Sequence, residues 1–494
     1  MDTTQDISKK DQLSQVFRYV IIESDSSGRP VKLKIEESFL GFKEVTDQTG
    51  LGLETAIIQS IEQKGLSLSR CRGQGYDGAA NMSGIYKGVK TRIEQKQSSA
   101  KYVHCSDHNL NLILNDASSQ VQENTVFWAT VEEVYVFFSQ SILRWQLLKA
   151  CFLKLKKLCP TRWSSRSEAL QALRYNYPDV MKALSKICLT STKSDEITKA
   201  QNLLKRLEKF EFVFLLVLHT LILESVNPVS KQLQSKDADL FKAHEWLKNA
   251  SDKLSHFRNH FNDAYIVAVS VAQEWGVTCE FQNKRHRKVT KHFGEIVEDE
   301  RLSDPLKYFE TAVFYGTLDI VLSQLKTRFE GLNNIINLFE LLNPKFLATA
   351  TDKELTDRAK KLVSEYPEDI ELTFPSELQS FRIALKDDIK ACSTIKDLAN
   401  LLFIENYSLA CSVPDVCTAF LLFLTLPVTV ATAERSFSKL TLIKNYLRST
   451  MSQERLVGLS VLSIESEVAR SIDVKEVVKV FAAKNARRQQ YINK

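Results

Sequence analysis

Residues 13–23, Leu-Ser-Gln-Val-Phe-Arg-Tyr-Val-Ile-Ile-Glu, are dense in β-branched and aromatic side chains, the composition that suits a pleated strand. Turn chemistry follows at Ser26-Ser-Gly-Arg-Pro30, and Lys32–Val45 reads as a second strand, so the two predict a hairpin. Leu53, Ile57, Ile58 and Ile61 then recur at helical spacing over 52–65, and Gly65 closes that stripe. Short strands are expected near 70–76 and 100–105, with a helix over about 84–97 between them. Strands first, then helix alternating with strand, indicate a mixed sheet.

From about 120 to 425 strand signals fade. Phe210–Leu223 is apolar all round and predicts a buried helix, while Phe241–Phe261, Val313–Phe329 and Ile335–Leu342 are amphipathic. Asp352–Pro375 is acidic and reads as an irregular, exposed stretch. The expected organisation is a first sheet-containing part over 1–164, an all-helical insertion over 165–400, a region over 401–470 that returns to the sheet, and a polar tail over 471–494. In the third part Phe437, Leu440, Ile443 and Leu447 line one helix and Leu456, Leu459 and Leu462 line another. Ser449–Ser452 separates them, and Thr450 and Gln453 stand at capping-box spacing. Intramolecular core and a surface for a second copy are both open readings of these two apolar rows.

Composition narrows the class. The 494 residues are 44% hydrophobic and 26% charged, enough for a sizeable core and more than one structural unit. A net charge of +6 permits nucleic-acid binding without requiring it. The densest basic run is Lys284-Arg285-His286-Arg287-Lys288, extended by Lys291 and His292; it suits DNA phosphates or a nuclear localisation signal, or it is a solvated loop. Nine cysteines with no Cys-x-x-Cys pair point to reduced thiols in a cytosolic or nuclear compartment. No uncharged apolar run of about 18 residues is evident, so no membrane partner is expected, and nothing suggests a small-molecule substrate.

The candidate chemistry is concentrated in Gly73-Gln-Gly-Tyr-Asp77-Gly-Ala-Ala-Asn-Met-Ser-Gly84 and in Tyr102-Val-His-Cys105-Ser-Asp-His108. Asp77 stands at a strand end inside a glycine-rich turn, a common place from which to hold a divalent metal beside a phosphate. Asp2 and Glu434, the latter at the start of an apolar helical run, are its candidate partners. As isolated residues, Asp77 is also an ordinary turn residue and Glu434 an ordinary helix-start acid.

Four features in this order, the 73–84 block, the Cys105-x-x-His108 pair, Thr161-Arg162-Trp163 and the segment Leu426–Leu462, resemble the hAT (hobo/Ac/Tam3) superfamily of transposase-like proteins. Within it the chain is most similar to the zinc finger MYM-type branch and the related repressor-of-kinase-inhibitor-like proteins. The resemblance implies an α+β fold: an RNase H-like mixed sheet, interrupted by a large all-helical insertion domain, with C-terminal helices completing the core. It implies that Asp2, Asp77 and Glu434 are the catalytic, Mg²⁺-holding acids, if the chain is active. Cys105, His108, Arg162 and Trp163 would handle DNA, joined by Lys284, Arg285, Arg287 and Lys288 from the basic run. Phe437, Leu440, Ile443, Leu447, Leu456, Leu459 and Leu462 would mediate dimerisation. Where many relatives carry a second tryptophan, this chain has Ala79. Asp2 is expected at the tip of a strand that is missing most of its length, so the chain reads as truncated and catalytically silent. The expected function is a nuclear, dimerising protein that binds DNA weakly and without sequence preference. A Mg²⁺-dependent DNA transposase and a purely structural scaffold are the alternatives.

Overall fold

The computed structural model describes residues 1–148, 154–159, 163–235, 238–282 and 304–483; of Trp163 and Ser164 it describes the backbone alone. The fold is α+β and mostly helical, with two small sheets. Two compact units are present: Met1–Cys105 together with Asn334–Lys494, and Ser106–Asn333. The expected helical insertion ran from 165 to 400, whereas the compact helical unit runs from 106 to 333. Helices beyond 333 belong with the sheets because side chains tie them there. Arg72 pairs with Asp369 through two bonds of 2.5 and 2.7 Å, and Lys101 pairs with Glu365 at 2.5 Å.

In the first unit β1 (Asp2–Gln5), β2 (Asp11–Ser24) and β3 (Pro30–Val45) form an antiparallel sheet in that order. The β2–β3 hairpin is the one the composition predicts. Asp25 closes it, its Oδ1 accepting the amides of Ser27 and Arg29, and Gly28 supplies the left-handed residue at φ +84°. Opposite Gln15 and Val16 the register slips, and Gly41 takes φ +127° there. A side chain at Gly41 would be strained twice, since its Cβ would also lie 3.0 Å from a Val457 methyl. β4 (Gly73–Tyr76) and β5 (Lys101–His104) form a parallel pair. Between them lie the short helix Ala80–Ser83 and the helix Val89–Lys96.

Three expectations change. Asp2 was placed at the tip of a strand lying before it. Instead β1 runs after it, paired in full from Asp2 opposite Ser14 to Gln5 opposite Asp11, so the antiparallel ladder fixes the residue. Residues 352–365 form a helix, because Thr351 and Glu354 make a reciprocal capping box and Leu355, Ala359 and Leu362 recur on one buried face. The acids that suggested a loop occupy its other faces. Finally, the N-cap of the helix Gln453–Ile464 is Ser452, without a side-chain bond. Gln453 turns inward instead, donating to Gln12 Oε1 at 2.8 Å and Phe42 O at 3.0 Å.

Two apolar clusters flank the first sheet. Leu13 and Val45 pack with Leu53, Ile57 and Ile61 of the helix Gly50–Gln63, and Phe39 and Phe42 pack with Leu440 and Leu456. The helices Ala431–Ile443 and Gln453–Ile464 thus cover the second face of the hairpin. A buried ion pair locks them on. Lys444 Nζ donates to Asp6 Oδ2 at 2.6 Å, with only 2% and 1% of the two side chains exposed. Gln12 Nε2 and the Ser8 and Lys10 amides complete the Asp6 shell.

The second unit is helical. Phe210–Leu233 is its most buried element, and Phe214, Leu216 and Leu218 are fully enclosed. By length and composition this helix alone among the described residues could cross a membrane, a candidate that the search for an uncharged run missed; 72% of its apolar window is covered by the protein's own packing. His219 lies inside it, bonded through Nε2 to Asn124 Oδ1 at 3.0 Å and set against Phe127 and Trp128. Burial, then the nearby Arg166 charge, lowers its pKa to about 3.

Two measurements follow from these buried groups. Burial alone would raise the Asp6 carboxyl, but bonds from Lys444, Lys10, Ser8 and Gln12 together hold it below its usual range. The stability it contributes is present above the unfolded carboxyl pKa and lost as pH falls through the folded one. Lys444→Met leaves that carboxylate buried and unpaired, and denaturant titration at pH 7 should show a loss of about 3–5 kcal/mol. The double variant Asp6→Leu with Lys444→Met should recover most of it. For His219 the neutral form is the folded form, so its contribution is complete above pH 6.5 and declines toward pH 3. Thermal melts from pH 7.5 to 4.5 should show this decline, and His219→Gln should flatten it.

Candidate functional site

Hydrogen bonds link the segments that carry the candidate acids. The Met1 backbone nitrogen donates to Gly75 O at 2.9 Å, so the start of β1 lies beside β4. A cavity between β2 and β4 is lined by Val16–Tyr19 and by residues 70–76, with Met1 at its end. The Met1–Gly75 bond and the shared cavity lining thus set β4 alongside β1 and β2. Asp2, one residue after Met1, and Asp77, two residues after Gly75, therefore both lie close along the chain to that bond. Glu434 is linked to β1 by a different route. Asp2 faces Ser14 in the β1–β2 ladder, and Ser14 Oγ meets Ser436 Oγ at 2.8 Å, one helical half-turn after Glu434. All three acids belong to the first unit.

Their local settings differ. Asp2 Oδ1 accepts the Thr3 amide at 2.8 Å, and half-buried Asp77 accepts the Ala79 amide at 3.3 Å, an Asx-type turn. Glu434 is also half-buried, and its amide bonds Val430 O in the first turn of the 431–443 helix. Burial pulls the Met1 amine below its ordinary pKa, while Asp2, Cys105, Asp77 and Glu37 oppose that pull. The Tyr102 phenol is raised, first by burial and then by the Asp77 charge. Carboxylate oxygens are the right ligands for Mg²⁺. Among the described residues, however, no three His, Cys, Asp or Glu side chains are gathered as a metal site. The donor chemistry fits Mg²⁺, and the spacing in this structure does not.

The glycines of Gly73-Gln-Gly75 have a packing role that the motif did not disclose. A Cβ at either position would come within 3.0 Å of the Pro427 ring. β4 therefore rests directly on the segment leading into the 431–443 helix. Cys105 is 1% exposed, and its sulfur accepts the Val430 amide at 3.4 Å, at the N-terminus of that same helix. His108 lies in the helix Ser106–Gln120 of the second unit. Arg162, the Trp163 side chain, Lys284, Arg285, Arg287 and Lys288 lie outside the described residues. Sequence reading missed Asp6, Gln12 and Lys444, and marked Gln453 only as a capping residue; no local pattern marks polar residues that meet only in the folded core.

Comparison with known proteins adds the lineage. A family model described as the ZMYM1/FAM200 RNase-like domain matches residues 1–88, and one described as the hAT family C-terminal dimerisation region matches residues 398–468. The two matched stretches lie at the start of the chain and near its end. The 52 kDa repressor of the inhibitor of the protein kinase from Homo sapiens is 23% identical over 512 residues, covering 98% of this chain and 64% of the relative. The Mus musculus protein of the same name is 23% identical over 514 residues, with the same coverage. The chain thus spans a little under two thirds of the length of these curated relatives.

Within the hAT dimerisation region the seven expected residues divide. Leu440 and Leu456 are buried in the chain's own core, with Phe437 and Ile443 packed against them. Leu459 is half-buried. Leu447 is 89% exposed and Leu462 57%, and beside them Leu442 and Tyr446 are also open to solvent.

Gly75→Ala should destabilise the first unit by about 1–3 kcal/mol, because the Pro427 ring cannot recede without moving β4. Gly331→Ala, in a helix with nothing within 4 Å of the new methyl, should stabilise by about 0.5–1 kcal/mol. Melting temperatures of the two variants check both signs.

Proposed function

We propose that this hAT-derived chain is a nuclear protein that self-associates and binds nucleic acid through an RNase H-like core, and that it does not itself cut DNA. The observation that supports the reading is the Met1–Gly75 hydrogen bond, which sets the start of β1 against β4 of the second sheet, close to Asp2 and Asp77. An acid pair at adjacent strand ends, with a third acid on a helix packed over the same end, suits DNA phosphate chemistry. Catalysis with two Mg²⁺ would require Asp2, Asp77 and Glu434 to close to within ligand distance of shared metals. Nicking of a supercoiled plasmid in Mg²⁺ or Mn²⁺ tests this, with no cleavage expected. Cleavage that is lost in both Asp77→Ala and Glu434→Ala would establish a Mg²⁺-dependent transposase instead.

The nucleic-acid part of the reading rests on the basic run 284–288 and the mildly basic net charge. Binding should be weak, sequence-independent and steeply salt-dependent. A fluorescence titration from low to physiological salt checks it, and replacing Lys284, Arg285, Arg287 and Lys288 with Ala should reduce the slope. No binding at low salt would leave the scaffold reading. The same run supports nuclear localisation, which imaging of the tagged chain with and without these four substitutions would test.

Self-association is assigned to the exposed part of the dimerisation region. Light scattering at micromolar concentration should give more than a monomer. Leu447→Asp should shift the chain toward monomer with its melting temperature unchanged, because Leu447 has no part in the core. Leu456→Asp should unfold the first unit. An unchanged mass for Leu447→Asp would move the interface elsewhere.

A further inference from the structure

Residues 84–88, Gly-Ile-Tyr-Lys-Gly, form a loop that holds apolar side chains out in water. Ile85 is 77% exposed and Tyr86 88%. The backbone beneath them is fixed. Gly88 N donates to Gly84 O at 3.0 Å and closes the loop. Thr91 Oγ1 donates to Gly84 O at 3.1 Å and to Ile85 O at 2.8 Å, and Arg92 Nε donates to Lys87 O at 3.2 Å. Close approaches allow only glycine at three positions: a Cβ at Gly50 would strike Lys87 O, one at Gly84 would strike Ala80 O, and one at Gly88 would strike Gly84. Met82 before the loop and Val89 after it are anchored in the apolar cluster of Leu13 and Ile57. A ligand that meets Tyr86 therefore has little backbone left to order.

The loop starts close to Asp77. Tyr102 Oη donates to Asp77 O at 3.4 Å, and Ser83, the residue before the loop, lies beside the same hydroxyl. From Gly78 to Ile93 no residue is acidic, whereas Lys87, Lys90 and Arg92 are basic. Lys90 is held over the Tyr102 ring at 4.8 Å, and Arg92 reaches Glu54 at 3.4 Å. Lys87 stands exposed next to Tyr86. Two apolar side chains are too few for a stable protein interface, which buries about 1,200 Å² or more. One base covers one aromatic ring, and a neighbouring lysine answers its phosphate. In a duplex both faces of a base are already stacked on its neighbours, so the group that fits an upright ring is an unpaired base.

We propose, resting on the nucleic-acid reading above, that residues 84–88 are a preformed stacking loop for single-stranded nucleic acid. Tyr86 takes the face of an unpaired base, Ile85 covers its edge, and Lys87 pairs with the adjacent phosphate. The loop distinguishes strand state and not sequence, because every base offers a π-face.

The test titrates the full chain into a short oligothymidylate in which every second base is 2-aminopurine, whose emission falls on stacking, and into the same strand paired as a duplex. The unsubstituted chain should bind the single strand more tightly and quench it. Tyr86→Ala should weaken single-strand binding about tenfold and remove most of the quench, with duplex affinity and melting temperature unchanged. Tyr86→Phe should keep binding and quench, and Tyr86→Leu, apolar without a ring, should lose both. Lys87→Ala should lower the salt slope by about 0.7. Binding by the unsubstituted chain that is matched in affinity and quench by Tyr86→Ala or Tyr86→Leu overturns the stacking loop and leaves the nucleic-acid reading standing. No binding by the unsubstituted chain at low salt overturns both.

Discussion

The ion pair between Asp6 and Lys444 is the constraint on which the first unit depends. It joins residues 438 apart in sequence, and both side chains are almost wholly removed from water. Such a pair contributes little net stability over an apolar substitute, because desolvation offsets most of the attraction. What it supplies is register. Asp6 is the turn residue that returns β1 to β2, and Lys444 is the C-cap residue of the 431–443 helix. A carboxylate with four donors around it has one satisfactory position, so the helix can neither slide nor rotate over the hairpin without stranding a buried charge. Gln12 and Gln453 extend the same logic to the 453–464 helix.

That register determines where Glu434 stands. The helix carrying it is pinned at its far end by Lys444, in its middle by Ser436 against Ser14, and at its start by the Cys105 sulfur on the Val430 amide. Pro427, just before it, lies under β4 where Gly73 and Gly75 leave room. The last part of the chain and the first therefore build one sheet end together. Separation along the sequence is no obstacle, since loop-closure entropy grows only slowly with length.

Much of this was legible in advance. The hairpin, the 50–63 helix and the short strands β4 and β5 follow from turn residues, β-branched composition and helical spacing, and they formed close to where those signals placed them. The resemblance was legible too: family models match residues 1–88 and 398–468, near the motifs that carry it at each end. What could not be read was any feature created by tertiary meeting. A buried Asp–Lys pair looks like two surface residues until the fold encloses it. The 352–365 helix was hidden for the opposite reason: net acidity suggested a loop, although Thr351-x-x-Glu354 and the Leu355, Ala359, Leu362 spacing were present. The period of the apolar positions, and not the net acidity, is the physical signal for a helix there.

The apolar rows near the C-terminus show the same boundary from another side. Leu440 and Leu447 occupy one heptad-like row and are chemically identical, yet one is enclosed by Phe39 and Phe42 and the other is almost fully exposed. Periodicity states that a helix has an apolar face; it does not state who covers it. The sheet supplies the cover at Leu440 because the Asp6–Lys444 pair ends the helix there. The chain then turns through Asn445–Arg448, lifting Leu447 off the hairpin. The region that the family model describes as a dimerisation region therefore divides into apolar side chains that the fold encloses and others that it leaves exposed. Leu447, Leu462, Leu442 and Tyr446 are the exposed ones, and for Tyr446 and Leu447 the exposure follows the end of the helix at Lys444.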